Sequence, residues 1–272
     1  MKLEFSLAHL TVLSLSPPEV VDVAARTGYR YVGLRPIAVT AEEPAYPLAS
    51  DRALLKETKA RLAATGVGVL DIELFRLLPE VDLKAFLPVL EVSAELGARH
   101  LIAAPWDPDR SRLIDHFAEL CDMAKPFGLY VNAEFVTWRE TNDLSAAAAI
   151  VRAANRSNGA ILVDTLHFSR SRCDTTVLRE LPREWFRFAQ VCDAPKEVPD
   201  TTEGLIYTAR HDRRFLGEGG IDVRSILNAL PTGIPYSLEI PTTELAKTVG
   251  PEERARRAIV AARKYLEVAP VH

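Results

Sequence analysis

The chain has 272 residues, of which 48% are hydrophobic and 26% charged, so it can bury an extensive core and is not expected to be disordered. Its formal net charge of −4 argues against a nucleic-acid-binding protein, because phosphate binding needs clustered lysine and arginine side chains. No apolar run approaches the roughly 20 residues of a transmembrane helix, and the N-terminus lacks the apolar stretch of a signal peptide, so no membrane partner is expected.

Eight short apolar segments alternate with helical patterns along the chain. The predicted strands are Leu3–Leu7, Tyr29–Leu34, Val67–Ile72, His100–Ala104, Leu129–Ala133, Ala160–Val163, Phe186–Val191 and Tyr236–Leu238. The predicted helices are Ser16–Arg26, Ser50–Ala64, Asp82–Leu96, Asp109–Phe127, Ser145–Ala154, Thr175–Leu181, Asp222–Leu230 and Glu252–Leu266. Pro88 indicates a kink or a later start in the third helix.

The spacing of these elements indicates the fold. A glycine often separates a helix from the strand that follows, as at Gly28, Gly66 and Gly97. One helix–strand unit recurs roughly every thirty residues, which is typical of parallel crossovers. Eight such units predict a (β/α)8 TIM barrel. No linker or change of composition interrupts the pattern, so we expect a single domain over residues 1–272.

Two predicted connections are longer than the others, and long loops in compact domains are often functional. Residues 37–48 form a proline-rich loop after the second strand, and residues 193–220 form another after the seventh. The second loop contains Arg210 and His211 and ends in Gly-Glu-Gly-Gly. Its arginines indicate either a solvated basic loop or a cation that orients an anionic or oxygen-rich substrate. Its glycines could cradle a phosphate, but Asp222 at the start of the next helix competes with an anion there.

Four predicted strands end at a side chain that can bind a metal: Glu134, Asp164, Gln190 and Glu239. In such barrels the active site lies at the carboxyl ends of the strands, so these four side chains can converge. Buried carboxylates are costly to desolvate without compensation, which predicts one shared divalent cation. Hard oxygen donors favour Mg²⁺ or Mn²⁺. The alternative is that each side chain forms a separate ion pair or loop cap.

Other polar side chains lie near the predicted strand ends. His167 follows Asp164 by three residues, which places it on the loop above the strand as a candidate for proton transfer. The candidate substrate-binding residues are Arg35, Glu73, Arg210 and His211. Glu73 has the alternative of a simple pair with Arg76. The remaining histidines, His9, His100, His116 and His272, are weaker candidates or are expected to be structural or exposed.

The strand-end sequences resemble those of the xylose-isomerase-like TIM barrels, a family of sugar isomerases, epimerases and related lyases. The resemblance lies in Asn132-Ala-Glu134, Val163-Asp-Thr-Leu-His167, Gln190-Val-Cys-Asp193-Ala and Ser237-Leu-Glu239-Ile. Many members have histidine where this chain has Gln190. This substitution is similar to the bacterial 3-dehydroshikimate dehydratases, as is the segment 209–217, whereas Gly33-Leu-Arg35-Pro and the proline-rich loop depart from that subgroup. The resemblance implies metal binding by the four strand-end residues, with His167 and Arg210 acting on the substrate.

The chemistry expected of such a site is removal of a proton next to the ketone of a polyol or keto-sugar, with a cation stabilising the resulting enediolate. Glu134, Glu239 and His167 are the candidate residues for proton transfer. Returning the proton to another face or carbon predicts an isomerase or epimerase, whereas expelling a β-hydroxyl predicts a dehydratase as the alternative.

Two functions of other classes are alternatives for such a barrel. A DNA-repair endonuclease of the same barrel family would need a zinc cluster built from many histidines, which this sequence does not offer. A sugar-binding barrel without catalysis would need no metal. The three scattered cysteines, Cys121, Cys173 and Cys192, form no CxxC motif and are typical of a reduced cytoplasmic protein. A homo-oligomer is compatible with this sequence.

Overall fold

The computed structural model describes residues 3–267, in which eight parallel strands close into one barrel. The strands are β1 (Phe5–Leu7), β2 (Tyr31–Leu34), β3 (Gly68–Leu77), β4 (His100–Pro105), β5 (Tyr130–Glu134), β6 (Gly159–Asp164), β7 (Ala189–Val191) and β8 (Tyr236–Leu238). Each strand pairs with the next in sequence, and β8 pairs with β1. The predicted (β/α)8 barrel is therefore confirmed. His272 lies outside the described residues.

Helices follow the strands around the barrel. They are α1 (Pro17–Thr27), α2 (Arg52–Thr65), α3 (Leu87–Glu95), α4 (Arg110–Ala124), α5 (Leu144–Ala154), α6 (Thr165–Arg170), α7 (Thr175–Glu180), α8 (Thr202–His211), α9 (Val223–Ala229), α10 (Thr243–Ala246) and α11 (Pro251–Glu267). Short 3-10 helices cover His9–Val12, Leu83–Phe86, Lys125–Phe127 and Arg183–Trp185. Within residues 3–267, none of these helices is both long and apolar enough to cross a membrane.

The first helix shows how local sequence sets the element boundaries. Glu19 accepts hydrogen bonds from both the backbone nitrogen and the hydroxyl of Ser16, at 2.7 and 2.6 Å, which caps the start of α1. Pro17 and Pro18 occupy the first turn, where the proline φ angle suits a helix and no amide donor is needed. Gly28 ends the helix with φ 87°, a left-handed conformation that glycine adopts without steric cost. The chain then turns directly into β2.

Apolar side chains on both faces of the strands hold the barrel together. The larger layer lies between strands and helices, where residues such as Val131, Ile161 and Leu238 are fully buried. A second cluster fills the inside of the barrel and includes Tyr31, Leu70, Ile102, Leu162 and Phe188. The interior is thus a packed core and not a pore, so polar side chains that serve a site must collect at its rim.

The structure differs from the sequence predictions in several elements. β3 continues past Ile72 to Leu77, because charged residues inside the strand interrupt its apolar pattern without ending its pairing. α6 begins directly after β6, where the sequence predicts a loop. β7 starts at Ala189 and is shorter than predicted, and α3 has the later start that Pro88 indicated.

A further difference is that the predicted loop 193–220 contains a helix, α8. Its apolar residues Leu205, Ile206 and Tyr207 are contiguous and not spaced at helical intervals, so the sequence offers no periodic pattern. The helix is nevertheless capped, because the hydroxyl of Thr201 accepts a hydrogen bond from the amide of Gly204. This helix carries Arg210 toward the centre of the barrel face, since that side chain lines the cavity described below.

The glycine-rich sequence after α8 binds a carboxylate of the chain itself. Asp193, directly after β7, is buried and accepts hydrogen bonds from the amides of Gly217, Gly219 and Ile221, at 3.1, 3.0 and 3.0 Å. A side chain at position 219 would place its Cβ 2.2 Å from the carbonyl oxygen of Ala194. The glycines therefore serve this internal anion, which explains their presence without a phosphate ligand.

Replacing Asp193 with alanine should lower the free energy of unfolding by about 2–4 kcal/mol, because several buried amides would lose their acceptor. Chemical denaturation measures this change. Gly219→Ala should also destabilise the protein through the close approach of its backbone, whereas Gly250→Ala is the matched control, since a Cβ at Gly250 has no heavy atom within 4 Å among the described residues. Equal stability of the two glycine variants would contradict this role of the loop.

Candidate metal and substrate site

The four predicted ligand residues lie at the same rim of the barrel. Glu134 and Asp164 are the last residues of β5 and β6, Gln190 is in β7, and Glu239 directly follows β8. All four are buried. The four side chains share one rim because the strands are parallel, so the carboxyl ends of all eight strands lie on one face of the barrel.

The tightest group of possible metal ligands consists of Glu134, Asp164 and His167. One ligand atom from each lies within 4.8 Å of the others. The local sequence places His167 there: Asp164 caps α6 by accepting a hydrogen bond from the amide of Leu166 at 2.7 Å. The first turn of the helix then carries His167 back over the strand end. The histidine is therefore held by a helix and not by a loop.

Gln190 and Glu239 form a neighbouring pair. The amide nitrogen of Gln190 donates to Glu239 Oε1 at 2.9 Å. This bond leaves Gln190 Oε1 buried and without a hydrogen-bond partner among residues 3–267. An unpartnered buried oxygen is costly, and it is also the atom that an amide offers to a cation.

Arg213 is a residue of the candidate site that the sequence pattern did not reveal. Its guanidinium donates to Asp164 Oδ2 at 2.6 Å and contacts Glu239 Oε2 at 2.9 Å, and its Nε donates to the carbonyl of Ala209 at 2.8 Å. The side chain is buried. In the sequence it is only one of several arginines near Arg210, although buried carboxylates at strand ends require a positive partner.

Burial and mutual repulsion change the acidity of these groups. Burial, reinforced by Glu239 and Asp164, raises the pKa of Glu134 well above its ordinary value. Burial also raises the pKa of Glu239 to about 8, although Arg213 opposes the rise. Burial would raise the pKa of Asp164 too, but Arg213 and His167 hold it below the ordinary value.

His167 is neutral at physiological pH, because burial lowers its pKa to about 4 despite the opposing charge of Asp164. Its Nδ1 is buried without a hydrogen-bond partner in the described part of the chain. The free oxygen of Gln190 and the three crowded carboxyl groups of Glu134, Asp164 and Glu239 form a donor set that fits a divalent cation, and the neutral imidazole of His167 lies beside them.

A second ion-pair network lies on the opposite side of the rim. Arg35 is buried at the end of β2 and contacts Glu73 Oε1 at 3.3 Å and Glu43 Oε1 at 3.3 Å. Glu73 therefore pairs with Arg35, and the alternative pair with Arg76 is wrong, because Arg76 donates to the carbonyl of Val39 at 3.1 Å. The network ties β2 and β3 to the proline-rich loop.

A cavity of about 60 Å³ lies between the two networks. The predicted residues that line it are Arg35, Glu73, Glu134, His167, Arg210 and Glu239. His211 lines neighbouring clefts instead, where its Nδ1 lies 3.0 Å from the hydroxyl of Thr243. His9 has a structural role, since its Nε2 lies 2.8 Å from the carbonyl of Leu15 and its Nδ1 accepts from the amide of Arg35.

A closed parallel barrel with carboxylates and a histidine clustered at the strand ends defines the class of this protein: a (β/α)8 barrel with a candidate metal centre. The chain belongs to the xylose isomerase-like TIM barrel family, whose family model matches residues 21–265. The resemblance found in the sequence is therefore confirmed.

Relatives and solved structures agree with this assignment. A 3-dehydroshikimate dehydratase of Pseudomonas aeruginosa is 32% identical over 132 residues, which are 47% of this chain and 20% of that protein. An inosose isomerase of Bacillus subtilis is 25% identical over 189 residues, which are 66% of this chain and 65% of the isomerase. The chain thus spans less than two thirds of the length of either relative.

The fold similarity extends over nearly the whole chain. The crystal structure of an IOLI protein with a zinc atom has a TM-score of 0.81 at 19% identity and covers 97% of this chain and 98% of that one. A D-allulose 3-epimerase from Methylomonas sp. in complex with D-allulose has a TM-score of 0.71 at 17% identity and covers 97% of both chains. At these identities the similarity shows a shared fold.

Metal affinity should depend on pH. The pKa of Glu239 is raised from its ordinary value of 4.5 to about 8 in the folded, metal-free protein. The folded state therefore holds this proton more tightly than the unfolded state, which stabilises the protein fully below pH 4.5, and the stabilisation is lost as pH rises through about 8. A cation needs the ionised carboxylate, so Mn²⁺ affinity should rise with pH through the same range and then level off. Calorimetric titration in buffers of different ionisation enthalpy measures the affinity and the protons released. A Mn²⁺ affinity that stays constant across neutral pH, with no proton release, would contradict the coupling of metal binding to ionisation of Glu239.

Arg213→Gln should lower the free energy of unfolding of the metal-free protein by about 3–5 kcal/mol, because it leaves two buried carboxylates without their partner. Saturating Mn²⁺ should recover part of the loss, since the cation supplies positive charge at the same place. Thermal unfolding with and without Mn²⁺ measures both effects. Arg214→Gln is the matched control, because Arg214 is exposed and pairs with Asp212 at the surface. A similar loss of unfolding free energy in the two variants would show that the buried ion pairs of Arg213 do not stabilise the protein more than the surface pair of Arg214 does.

Proposed function

We propose that this protein is a divalent-metal-dependent isomerase or epimerase that removes a proton next to the ketone of a polyhydroxylated substrate. The observation that carries the proposal is the cluster of Glu134, Asp164 and His167, whose ligand atoms lie within 4.8 Å of one another. Glu134 and His167 of this cluster line a cavity at the strand ends. The inosose isomerase and D-allulose 3-epimerase among its relatives and structural neighbours support this class of reaction.

Glu134, Asp164, Gln190 and Glu239 would hold the cation, and their oxygen donors favour Mg²⁺ or Mn²⁺. When bound, the cation supplies Lewis acidity that stabilises negative charge developing on the substrate. Arg213 keeps Asp164 ionised and fixes the directions of Asp164 and Glu239, because it bonds to one oxygen of each. The ligand set is thereby oriented before a substrate arrives.

His167 is the residue to which we assign proton transfer. It is neutral, lies beside the carboxylates and lines the cavity, so it can accept a proton there and return it to another face or carbon of the substrate. Glu134 and Glu239 line the same cavity and are the alternative proton carriers. Arg35 and Glu73 bind each other across the cavity wall and would orient the hydroxyl groups of a polyol or keto-sugar.

A second candidate function is dehydration, in which the same first step is followed by loss of a β-hydroxyl. The specific observation that favours it is the charge at the cavity mouth. Arg210 lines the cavity, and its pKa is lowered by burial and by the nearby charges of Arg139 and Arg76, while Glu43 opposes this. In the described chain none of these three arginines forms an ion pair with a carboxylate, whereas Arg35 pairs with Glu43 and Glu73. Such a mouth favours an anionic substrate. The 3-dehydroshikimate dehydratase relatives support this candidate.

A DNA-repair endonuclease and a non-catalytic sugar-binding barrel have less support. The clustered ligands include one histidine among residues 3–267, which does not resemble the histidine-rich zinc cluster expected of such an endonuclease. A sugar-binding barrel without catalysis would bind no metal. A metal assay distinguishes the proposed enzyme from a metal-free binding protein. A panel of ketoses and cyclic keto-polyols, analysed for isomers and for unsaturated products, then distinguishes an isomerase from a dehydratase.

His167→Ala should leave Mn²⁺ binding largely intact and lower the turnover rate about 10²–10⁴-fold, the usual range for a general acid–base residue. Solvent exchange of the substrate α-proton, followed by NMR in D₂O, identifies the step affected. Loss of exchange makes His167 the base, whereas exchange without product means that Glu134 or Glu239 removes the proton and favours dehydration. His116→Ala on α4 is the control. A fully active His167→Ala enzyme would leave His167 with a structural role.

A further inference from the structure

A second cavity adjoins the metal cavity on the same face of the barrel. This outer cleft has a volume of about 670 Å³ and is bounded by the segment after β1, the proline-rich loop and the segment after β8. Leu10 and Arg210 line both the outer cleft and the metal cavity, so the two spaces share a wall. Its size lies within the range of about 300–1,000 Å³ that is typical of small-molecule sites.

The two spaces differ greatly in size. The metal cavity has a volume of about 60 Å³, against about 670 Å³ for the outer cleft. A molecule that reaches the candidate metal ligands and is larger than this cavity can extend past Leu10 and Arg210, which line both spaces. The outer cleft is the adjoining space in that direction.

The lining of the outer cleft suits a ring. Apolar surface comes from residues such as Leu13, Pro241 and Ala246, and hydroxyl groups come from Ser14, Thr40 and Thr243. Charged side chains such as Glu43 and Arg210 complete the lining. A lining of apolar surface with a few polar groups is typical of small-molecule sites, and sugar and aromatic rings combine apolar faces with polar substituents.

Both walls of the outer cleft are held in place by the structure. On one side Glu43 accepts hydrogen bonds from Arg35 and, at 2.9 Å, from the amide of Val39, which fixes the proline-rich loop. On the other side a β-bridge joins Asp212 to Thr242. The cleft is therefore formed before any ligand binds, and binding need not first order its walls.

We propose that the outer cleft binds a second ring, glycosyl or aryl, that is joined through an ether oxygen to the keto-polyol whose ketone end enters the metal cavity. The inference deepens the proposed function and rests on it. It assigns the substrate to keto-polyols that carry an ether-linked ring and places Arg210 at the junction between the two rings.

The first test compares two probes on the Mn²⁺-loaded full chain: a six-carbon cyclic keto-polyol and its O-benzyl ether. The ether should bind about tenfold more tightly, because it buries an apolar ring that the parent lacks. Ala246→Trp, at an exposed position on the cleft wall, should abolish this gain and leave the affinity for the parent unchanged. Val260→Trp, at an exposed position in a different cleft, is the matched control and should keep the gain.

Equal affinities of the two probes for the unchanged protein, or an unaltered gain in Ala246→Trp, would overturn the inference while leaving the proposed function intact. Failure of both probes to bind would instead contradict the proposed function. In that case phenyl glucoside, added to the metal-free protein, tests the outer cleft directly by NMR. Amide shifts at Leu13, Thr40 and Ala246 would support the cleft as a ring site, and their absence would overturn it.

Discussion

The contact between Arg213 and two strand-end carboxylates is the interaction on which the candidate site depends. Asp164 and Glu239 are on neighbouring parts of the rim, and both are buried with Glu134 in surroundings where an unpaired charge is very costly. One guanidinium bonds to both and is itself held by the carbonyl of Ala209. One guanidinium cannot balance three ionised carboxyl groups, so the pKa values of Glu134 and Glu239 are raised in the metal-free protein, and a divalent cation would supply the further positive charge that their ionisation requires.

Much of the barrel could be predicted from the sequence, because its strands are short apolar runs and glycines end several of its helices. Glu134, Asp164, Gln190 and Glu239 could be placed on one face for the same reason, since each is at the end of such a run. The prediction of α8 failed because its apolar residues are contiguous, and helix formation there depends on a cap and on tertiary contacts. Arg213 could not be found for a related reason: its position follows from the path of the chain after α8, which no local pattern encodes.

Family membership explains the barrel. The mouth of the cavity is formed by contacts between loops: the ion pair of Arg35 and Glu43 holds the proline-rich loop, and Arg76, Arg139 and Arg210 form no ion pair with a carboxylate among residues 3–267. Because loops in such barrels determine which molecule reaches the metal, differences of reaction within this family are expected to reside at the mouth.

The bridge between Asp193 and Arg214 has a consequence for how such a protein can change. Their backbones exchange two hydrogen bonds, of 3.0 and 2.8 Å, so the chain leaves the barrel rim and returns to it at the same point. Lengthening a segment between two fixed ends costs little entropy, about 0.6 kcal/mol for each doubling. The segment between these ends can therefore vary in length at small cost. Because Arg210 and Arg213 both lie within it, exchanging the segment would replace a residue of the cavity wall and the counter-charge of Asp164 and Glu239 at the same time.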